Sequence, residues 1–322
     1  MERPSVLSET TEAARRLSAA VERVIAGNGA AVEAAVICLL AEGNLLLEGV
    51  PGVGKTMLAR AVARSIGGTF RRIQATPDLL PSDVTGVSVY EQERREFTFT
   101  PGPVFANVVL VDEVNRASPR TQSALLEPME ERQVTVEGVA RPLPSPFFLV
   151  ATENPVEHHG TYPLPEGQLD RFTMAVRVTY PSAVDERSVV TRQLLHHPIE
   201  DLEPVLSPEE VAHHQRAIRG VHVADSIVDY AVALVGATRW HAHAVLGASP
   251  RAAVALTRCA QARAAVHGRS YVLPDDVKTL APAVLGHRVL TAMDGGGSRT
   301  GRDLVAEILD QVPVPLGVTE PV

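Results

Sequence analysis

The fold of this chain is decided by one stretch, Gly49-Val50-Pro51-Gly52-Val53-Gly54-Lys55-Thr56. The stretch fits the phosphate-binding loop pattern G-x-x-x-x-G-K-[ST] at every fixed position. Its glycines allow the backbone to turn tightly, so that several N–H groups can point at a phosphate, and the helix that follows adds the positive end of its dipole. Lys55 is then expected to reach the β- and γ-phosphates of a nucleotide, and the Thr56 hydroxyl to ligate Mg²⁺.

The surroundings of this loop are those that a phosphate site needs. Residues 44–48 before it are typical of a short buried strand, and residues 57–66 after it are typical of a helix with one apolar face. The alternative is a glycine-rich turn that binds nothing, since the pattern arises by chance in about one chain of this length in a hundred. Lysine occurs only at Lys55 and Lys278 among 30 basic residues. The chain therefore keeps a lysine where a compact point charge is wanted, which favours the phosphate site.

Composition indicates a globular protein with room for one large or two ordinary domains. The chain has 322 residues, of which 45% are hydrophobic and 21% charged. The longest apolar run, residues 34–41, is too short to cross a bilayer. A net charge of −8 argues against a dominant nucleic-acid-binding face. Two cysteines, Cys38 and Cys259, form neither a disulfide framework nor a zinc spacing, and as small buried hydrophobes they fit a reducing cytoplasm.

Hydrophobic periodicity divides the chain into an α/β part and a helical part. The first part alternates short apolar runs, typical of buried strands, with helices such as those expected over 5–26, 30–42 and 119–131. After Tyr180-Pro181 the pattern is helical. We therefore predict a nucleotide-binding α/β domain with a central parallel sheet (residues 1–180), followed by a smaller all-helical domain with a short tail (residues 181–322). The predicted helices of the second part cover residues 208–218, 225–238, 250–267, 274–281 and 303–311.

Two further polar sites follow buried strands of the first part. The apolar run 108–111 ends in Asp112-Glu113, and a pair of carboxylates at the end of a central strand is costly unless it holds a cation or performs chemistry. In a phosphate-loop protein the first carboxylate holds Mg²⁺ and the second orients or deprotonates the attacking water. The alternative is an ordinary acidic pair on the surface. Asn154 follows the apolar run 147–152, where parallel sheets place ligand-binding residues.

Two β-hairpins are predicted in the α/β part. The first pairs residues 87–90 with 97–100 around the charged tip Glu91-Gln92-Glu93-Arg94-Arg95-Glu96, and the second pairs 133–136 with 140–143 around Glu137-Gly138. The first tip sets two arginines against three glutamates, and the second hairpin sets Arg141 against Glu137, with Arg132 and Glu131 at its base. Neither hairpin is therefore a basic prong for phosphates. We expect Tyr90 to be the only aromatic residue near the first turn, which gives no aromatic ladder for base stacking.

The ordered motifs taken together resemble the MoxR family of AAA+ ATPases. The resemblance extends from about residue 30 to residue 289 and is highly specific, because so many motifs occur in order. The motifs are LLEGVPGVGKT (46–56), RIQ (72–74), TPDLLPSD (76–83), GPVFAN (102–107), DEVNRA (112–117), SALLE (123–127), ATENP (151–155), GTYPLPE (160–166), LDRF (169–172) and GASPRA (247–252). One departure is Gly167, where the family more often has alanine, and this glycine is expected to loosen the approach to Arg171.

The resemblance implies a P-loop AAA+ core with a helical lid, Mg²⁺-dependent ATP hydrolysis, and roles for individual residues. Glu113 is implied as the residue that activates water, Asn154 as sensor 1, and Arg171 as an arginine finger given to the neighbouring subunit's ATP. Arg251 is implied as sensor 2 of the lid, with its action on its own or on a neighbouring subunit left open. The implied catalytic set is Lys55, Glu113, Asn154 and Arg171; Thr56 and Asp112 hold Mg²⁺; and the nucleotide-binding set is Gly49, Pro51, Gly52, Val53, Gly54, Lys55, Thr56, Met57, Asp112 and Arg251.

The resemblance also implies a ring-forming, chaperone-like ATPase, expected as a hexamer, that remodels or assembles proteins or inserts metal cofactors. Such ATPases often act beside partners with von Willebrand factor A domains. Two alternatives belong to other classes. A nucleic-acid motor is possible in principle because replicative helicases share the two hairpin inserts, but the acidic or charge-balanced hairpins argue against it. A monomeric GTPase switch is disfavoured because the chain lacks the guanine-reading Asn-Lys-x-Asp stretch.

Overall fold

A computed structural model describes residues 6–93, 95–155, 160–194, 196–292 and 299–315 of the chain. Arg94 of the first hairpin tip and residues 316–322 of the tail lie outside these described residues. The elements follow in the order α1 (Val6–Glu22), α2 (Gly29–Leu40), β1 (Leu45–Glu48), α3 (Lys55–Ser65), β2 (Phe70–Gln74), α4 (Pro81–Thr85), β3 (Gly86–Glu91), β4 (Glu96–Pro101), β5 (Val108–Asp112), α5 (Pro119–Ser123), α6 (Leu126–Glu131), β6 (Gln133–Val136), β7 (Val139–Pro142), β8 (Phe148–Glu153), α7 (Glu166–Leu169), β9 (Met174–Arg177), α8 (Ala183–Gln193), α9 (Pro208–Ile218), α10 (Asp225–Trp240), β10 (Ala244–Leu246), α11 (Pro250–Val266), α12 (Pro274–Leu285), β11 (Leu290–Thr291) and α13 (Gly301–Gln311), with 3₁₀ turns at Val114–Arg116 and Gly286–Arg288.

The central sheet has five parallel strands in the spatial order β2-β5-β8-β1-β9. Every residue of β5 is buried, because helices cover both faces of the sheet and its strands are apolar on both sides. Strands β5, β8 and β1 are neighbours, so their carboxyl ends meet at one edge. This edge carries the phosphate loop after β1, Asp112-Glu113 at the end of β5 and Asn154 after β8. The predicted parallel α/β architecture is confirmed, and the strand order explains why the predicted polar residues meet.

Helices α1 and α2 pack against the helical second part of the chain. Helix α2 is apolar on most sides, and its buried residues belong to a hydrophobic cluster that also includes side chains of α10, α11 and α12. Hydrogen bonds connect the two parts: Thr11 Oγ1 donates to the carbonyl of Ala265 at 2.7 Å, and Gln215 Nε2 donates to the carbonyl of Leu39 at 2.7 Å. The α/β core and the lid therefore share apolar packing, and the boundary at residue 180 stays a prediction.

The second part is helical, as predicted, but it also contains a short antiparallel pair, β10 with β11. Helix α8 was not predicted, because none of its residues is buried and it therefore shows no apolar stripe. The single helix predicted over 119–131 is two short helices, α5 and α6, separated at Ala124 and Leu125. Pro128 lies in the first turn of α6, where its missing N–H costs no helical hydrogen bond.

The two hairpins are both present and contact each other. Strands β3 and β4 pair from Gly86–Pro101 to Glu91–Glu96, so the first tip is shorter than predicted. The guanidinium of Arg141 in the second hairpin lies 4.0 Å from the ring centroid of Phe99 in the first, and Ser88 Oγ donates to Glu137 at 2.7 Å. The expectation of Tyr90 as the only aromatic near the first turn was wrong. Phe97 is its cross-strand partner, and the two rings lie 5.3 Å apart.

Both cysteines are buried thiols, as predicted. Burial raises the pKa of the Cys259 thiol to about 12 and also raises the pKa of Cys38 well above its ordinary value. Both side chains therefore act as small hydrophobes of the core. Within the described residues, every helix is too short or too polar to span a bilayer.

Candidate active site

The phosphate loop connects β1 to α3 through two glycines whose positions no other residue suits. A Cβ at Gly49 would lie 2.4 Å from the carbonyl oxygen of Val178, so only glycine allows this close approach of two backbone segments. Gly54 has φ +93° and is the N-cap of α3. A Cβ at Gly54 would meet no atom within 4 Å, which means that the space beside it is open for a ligand. Lys55 and Thr56 then form the first turn of α3, two residues before the predicted helix start.

Lys55 is buried and lies folded against the loop. Its Nζ donates to the carbonyl of Gly49 and, at 3.2 Å, to the carbonyl of Glu153. The pKa of the Glu153 carboxyl is raised by burial and by the nearby carboxylate of Glu48, while Lys55 lowers it. Backbone carbonyls thus hold the ammonium group at the base of the loop, from where a four-carbon side chain can turn towards a phosphate.

Asp112 is the point where the polar groups of three strands meet. Its Oδ1 accepts from Thr152 Oγ1 at 2.6 Å, and its Oδ2 accepts from Arg72 at 2.6 Å and from Thr56 Oγ1 at 3.3 Å. The Thr56 hydroxyl and the Asp112 carboxylate are oxygen donors of the kind that Mg²⁺ prefers, and they already lie side by side. The residues present therefore fit a magnesium ion beside the phosphate loop.

Glu113 has a left-handed backbone with φ 57° and ψ 50°. A non-glycine residue in this region is uncommon, and such conformations concentrate at functional sites. Its N–H donates to Thr152 Oγ1 at 2.9 Å, and its Oε2 lies 3.3 Å from Gln74 Nε2 and 3.1 Å from Arg116 Nε. Thr152 therefore contacts both neighbouring acidic residues. Arg72, Gln74 and Thr152 were not predicted as site residues, although all three lie in the quoted motifs RIQ (72–74) and ATENP (151–155).

A cavity of about 370 Å³ collects these side chains. Asn154, which is 5% exposed, lies in its wall, as predicted from its place after β8. The described residues that line the cavity are Pro51, Gly52, Gly54, Lys55, Thr56, Met57, Arg72, Asp112, Glu113 and Asn154. The sheet edge thus brings together almost all of the predicted nucleotide-binding and catalytic residues.

A second, more apolar cavity of about 400 Å³ also lies beside the phosphate loop, and Pro51, Gly52, Gly54 and Met57 line both cavities. Its size and its apolar lining suit a purine base. No local pattern in the sequence indicates this cavity, because its walls come from four separated segments: the turn between α1 and α2, the phosphate loop, Tyr180-Pro181, and α8 with the residues that follow it. Residues that line it include Val24, Ile25, Asn28, Val53, Met57, Tyr180, Pro181, Val190 and His197.

Two predicted residues, Arg171 and Arg251, are not among the described residues that line the cavity at the sheet edge. Arg171 Nε lies 3.1 Å from Glu130 Oε2, and Arg251 forms an ion pair with Glu130 Oε1. Arg171 Nη1 also donates to the carbonyl of Gly167 at 2.5 Å. A Cβ at Gly167 would meet Arg171 only at 3.9 Å, an ordinary contact, so the expectation that this glycine loosens the approach to Arg171 finds no support in the packing.

Fold and site together define a phosphate-loop nucleotide hydrolase with a helical lid. The family model described as "ATPase family associated with various cellular activities (AAA)" matches residues 44–174, and the model of the AAA lid domain matches residues 236–308. The chain is 50% identical to the uncharacterized protein YeaC of Bacillus subtilis over 297 residues, which cover 92% of this chain and 93% of that protein. It is 42% identical to Chaperone MoxR1 of Mycobacterium tuberculosis over 308 residues, which cover 92% and 80%.

Other relatives agree with this assignment. Identity to Protein MoxR of Methylorubrum extorquens is 30% over 337 residues, which cover 97% of this chain and 98% of that protein. The crystal structure of a candidate ATPase from Cytophaga hutchinsonii superposes with a TM-score of 0.88 at 36% identity, covering 96% of this chain and 97% of that one. The chain therefore belongs to the MoxR family of AAA+ ATPases, and it is an ATP hydrolase.

Proposed function

We propose that this ATPase uses Mg²⁺-ATP to remodel or assemble a protein client, including the insertion of a metal cofactor into such a client. The observation that carries the proposal is the joined surface of the two hairpins. This surface exposes Phe97 (71%), Tyr90 (49%) and three valines, Val87, Val89 and Val139. Exposed apolar side chains in one place, surrounded by acidic residues such as Glu91 and Glu96, favour a protein partner over a phosphate backbone.

In the proposed reaction, the phosphate loop and Lys55 bind the phosphates of ATP, and Thr56 with Asp112 holds Mg²⁺. The metal ion, when bound, supplies positive charge to the β- and γ-phosphate oxygens. Glu113 orients and deprotonates the attacking water, and Asn154 holds that water or the γ-phosphate. The loop residues Gly49, Pro51, Gly52, Val53, Gly54 and Met57 contribute backbone and contact surface, and the apolar cavity beside the loop takes the adenine.

We assign Arg171 and Arg251 to the nucleotide of the neighbouring subunit in a ring, proposed as a hexamer. Support comes from their position, since both lie together and neither is among the described residues that line the cavity of their own subunit. The cis or trans action of Arg251 was open from sequence, and its place beside Arg171 favours action in trans. An arginine finger is worth about 10³–10⁵ in rate.

Mixing of inactive subunits tests this trans assignment. Arg171→Ala subunits keep an intact phosphate site but lack the finger, whereas Lys55→Ala subunits lack the phosphate site but keep the finger. A mixture that co-assembles should recover part of the ATPase rate, because some of the shared sites then combine an intact phosphate loop with an intact finger. No recovery in a mixture shown to co-assemble would place Arg171 in its own subunit's site or in a structural role.

The client class is tested with nucleic acids. ATPase rates are measured with and without single- and double-stranded DNA and RNA at about 50–200 mM salt, the range over which phosphate contacts lose most affinity. The proposal expects no stimulation, because Arg141 is stacked on Phe99 and the first hairpin is acidic. A several-fold, salt-sensitive stimulation that is lost when Arg94 and Arg95 are replaced would establish a nucleic-acid motor instead.

A von Willebrand factor A-type protein in the cytoplasm is the proposed partner. The buried thiols of Cys38 and Cys259 are compatible with a reducing compartment. Trapping the Glu113→Gln protein with ATP in its own cells, followed by identification of the proteins that come down with it, tests the partner. Loss of these proteins when Phe97 and Tyr90 are replaced by serine would attribute the capture to the hairpin surface.

A further inference from the structure

Glu130 contacts both arginines, one with each carboxylate oxygen. Its Oε2 lies 3.1 Å from Arg171 Nε, and its Oε1 pairs with Arg251 Nη2. The two arginines come from different parts of the fold, since Arg171 follows α7 in the α/β core and Arg251 is the second residue of α11 in the lid. Glu130, near the end of α6, therefore connects the core arginine to the lid arginine through a single carboxylate.

Electrostatics favour a carboxylate at the position of Glu130. Arg251 lies in the first turn of α11, where the positive end of the helix dipole disfavours a cation. It also lies near the second guanidinium, that of Arg171, and two like charges repel unless an anion lies between them. Glu130 offsets both unfavourable interactions, because its carboxylate pairs with both guanidinium groups.

The other nearby carboxylate, Asp170, is engaged elsewhere. It accepts from Arg288 Nε at 3.0 Å and from Ser249 Oγ, the N-cap of α11, at 2.8 Å, while Arg251 Nη1 is 3.6 Å away. Arg288 is buried, so its charge requires Asp170 as a partner. Three arginines thus face two carboxylates in this group, and the excess positive charge suits an anion arriving from outside.

We propose that Glu130 is a positioning residue, which holds Arg171 and Arg251 as a pair in the geometry that receives the γ-phosphate of the neighbouring subunit's ATP. This inference rests on the proposed trans action of Arg171. Its physical basis is preorganisation: donors that are fixed before the reaction stabilise the developing charge without the cost of reorientation. Glu130 itself contacts no reacting atom, and it acts through the arginines.

The test compares Glu130→Ala and Glu130→Gln with Glu131→Gln, a matched control on the next residue whose carboxylate contacts Gln133. The first two variants should lose kcat by about 10–100-fold, the usual cost of removing a supporting contact, while KM for ATP stays within about twofold. KM for ATP should stay near the wild-type value because these substitutions do not change the phosphate loop that binds ATP in the same subunit. Glu131→Gln should keep the wild-type kcat and KM.

Subunit mixing distinguishes positioning from a general structural loss. Glu130→Ala mixed with Lys55→Ala should recover activity, because the defect lies only in the half given to the neighbour. Glu130→Ala mixed with Arg171→Ala should not recover, since both lack the same half. If circular dichroism and the thermal transition show that Glu130→Ala folds poorly, both mixtures are repeated with Glu130→Gln in its place.

The outcomes separate this inference from the proposed function. In one outcome, the mixture of Arg171→Ala with Lys55→Ala recovers activity, while kcat is unchanged or raised in both Glu130 variants. This result would overturn the role of Glu130 but would support the trans action of Arg171. A rise in KM with an unchanged kcat would likewise overturn the role of Glu130. Failure of Arg171→Ala with Lys55→Ala to recover would overturn the trans assignment, and the role of Glu130 with it.

Discussion

Replacing Thr152 by valine tests whether one buried hydroxyl holds both acidic residues of the site. Thr152 is fully buried, and its Oγ1 donates to Asp112 Oδ1 at 2.6 Å while it accepts from the N–H of Glu113 at 2.9 Å. Valine has nearly the shape and volume of threonine but no hydroxyl, so the change mainly removes these two hydrogen bonds. Both the free energy of unfolding and the ATPase rate should therefore fall.

The magnitude follows from the two contacts. A hydrogen bond to a charged carboxylate contributes about 1.5–3 kcal/mol, and a buried N–H left without a partner costs about 1–3 kcal/mol. The extra buried methyl group of valine returns about 0.8 kcal/mol. The net loss in the free energy of unfolding is thus about 2–5 kcal/mol. For activity, loss of a group that orients metal ligands or catalytic residues lowers the rate by about 10–100-fold.

Urea denaturation and steady-state ATPase assays measure the two effects, with Thr152→Ser as the matched control. Serine keeps the hydroxyl and loses only a methyl group, so it should keep most of the activity and lose about 1 kcal/mol of stability. If Thr152→Val matched Thr152→Ser in both stability and rate, the hydroxyl would not hold the two carboxylates, and the account of the site would need a different source of their orientation.

Two further predictions concern the phosphate loop and the lid. Lys55→Ala should abolish tight ATP binding, because the loop then lacks the charge that meets the β- and γ-phosphates. Titration calorimetry measures this affinity. Binding of ATP at the wild-type affinity would show that Lys55 does not bind the phosphates. Burial, and next the nearby Arg288, hold the pKa of His287 well below its ordinary 6.5 in the folded protein. Around and below this ordinary pKa, the unfolded chain therefore binds more protons than the folded protein. The contribution of His287 to the free energy of unfolding is thus fully present above about pH 6.5, and it decreases as the pH falls, by up to about 1.4 kcal/mol per pH unit. Between about pH 7.5 and 5, the free energy of unfolding from urea denaturation should fall less steeply with pH for His287→Gln than for the wild type. Equal slopes for the two proteins would refute the lowered pKa of His287.

Local patterns predicted those parts of the site that depend on sequence neighbours. The loop, the apolar run before Asp112 and the apolar run before Asn154 each carry their signal within about ten residues, and parallel strands bring such ends to one edge. Arg72 was missed because its role depends on the pairing of β2 with β5, which places Gln74 opposite Asp112 and Arg72 close to its carboxylate. A pairing between distant strands leaves no trace in local periodicity.

Long-range ion pairs and helices without a buried face were beyond the reach of the sequence. Glu130 resembles any exposed glutamate of a helix, and only the fold shows that Arg171 and Arg251 share it. Helix α8 lines the apolar cavity but buries none of its own residues, so the hydrophobic pattern that reveals other helices is missing. The Tyr90–Phe97 pair, in contrast, was within reach of the sequence, because the predicted antiparallel pairing of residues 87–90 with 97–100 already places these two side chains opposite each other.

The central claim is that the cavity at the sheet edge hydrolyses ATP with Glu113 as the group that activates water. The most direct test measures ATP binding and single-turnover hydrolysis in the Glu113→Gln protein. The substitution keeps the size of the side chain but removes its negative charge and its ability to take a proton. The account predicts ATP binding near the wild-type affinity with hydrolysis slower by about 10²–10⁴-fold. Hydrolysis at the wild-type rate by the Glu113→Gln protein would contradict it.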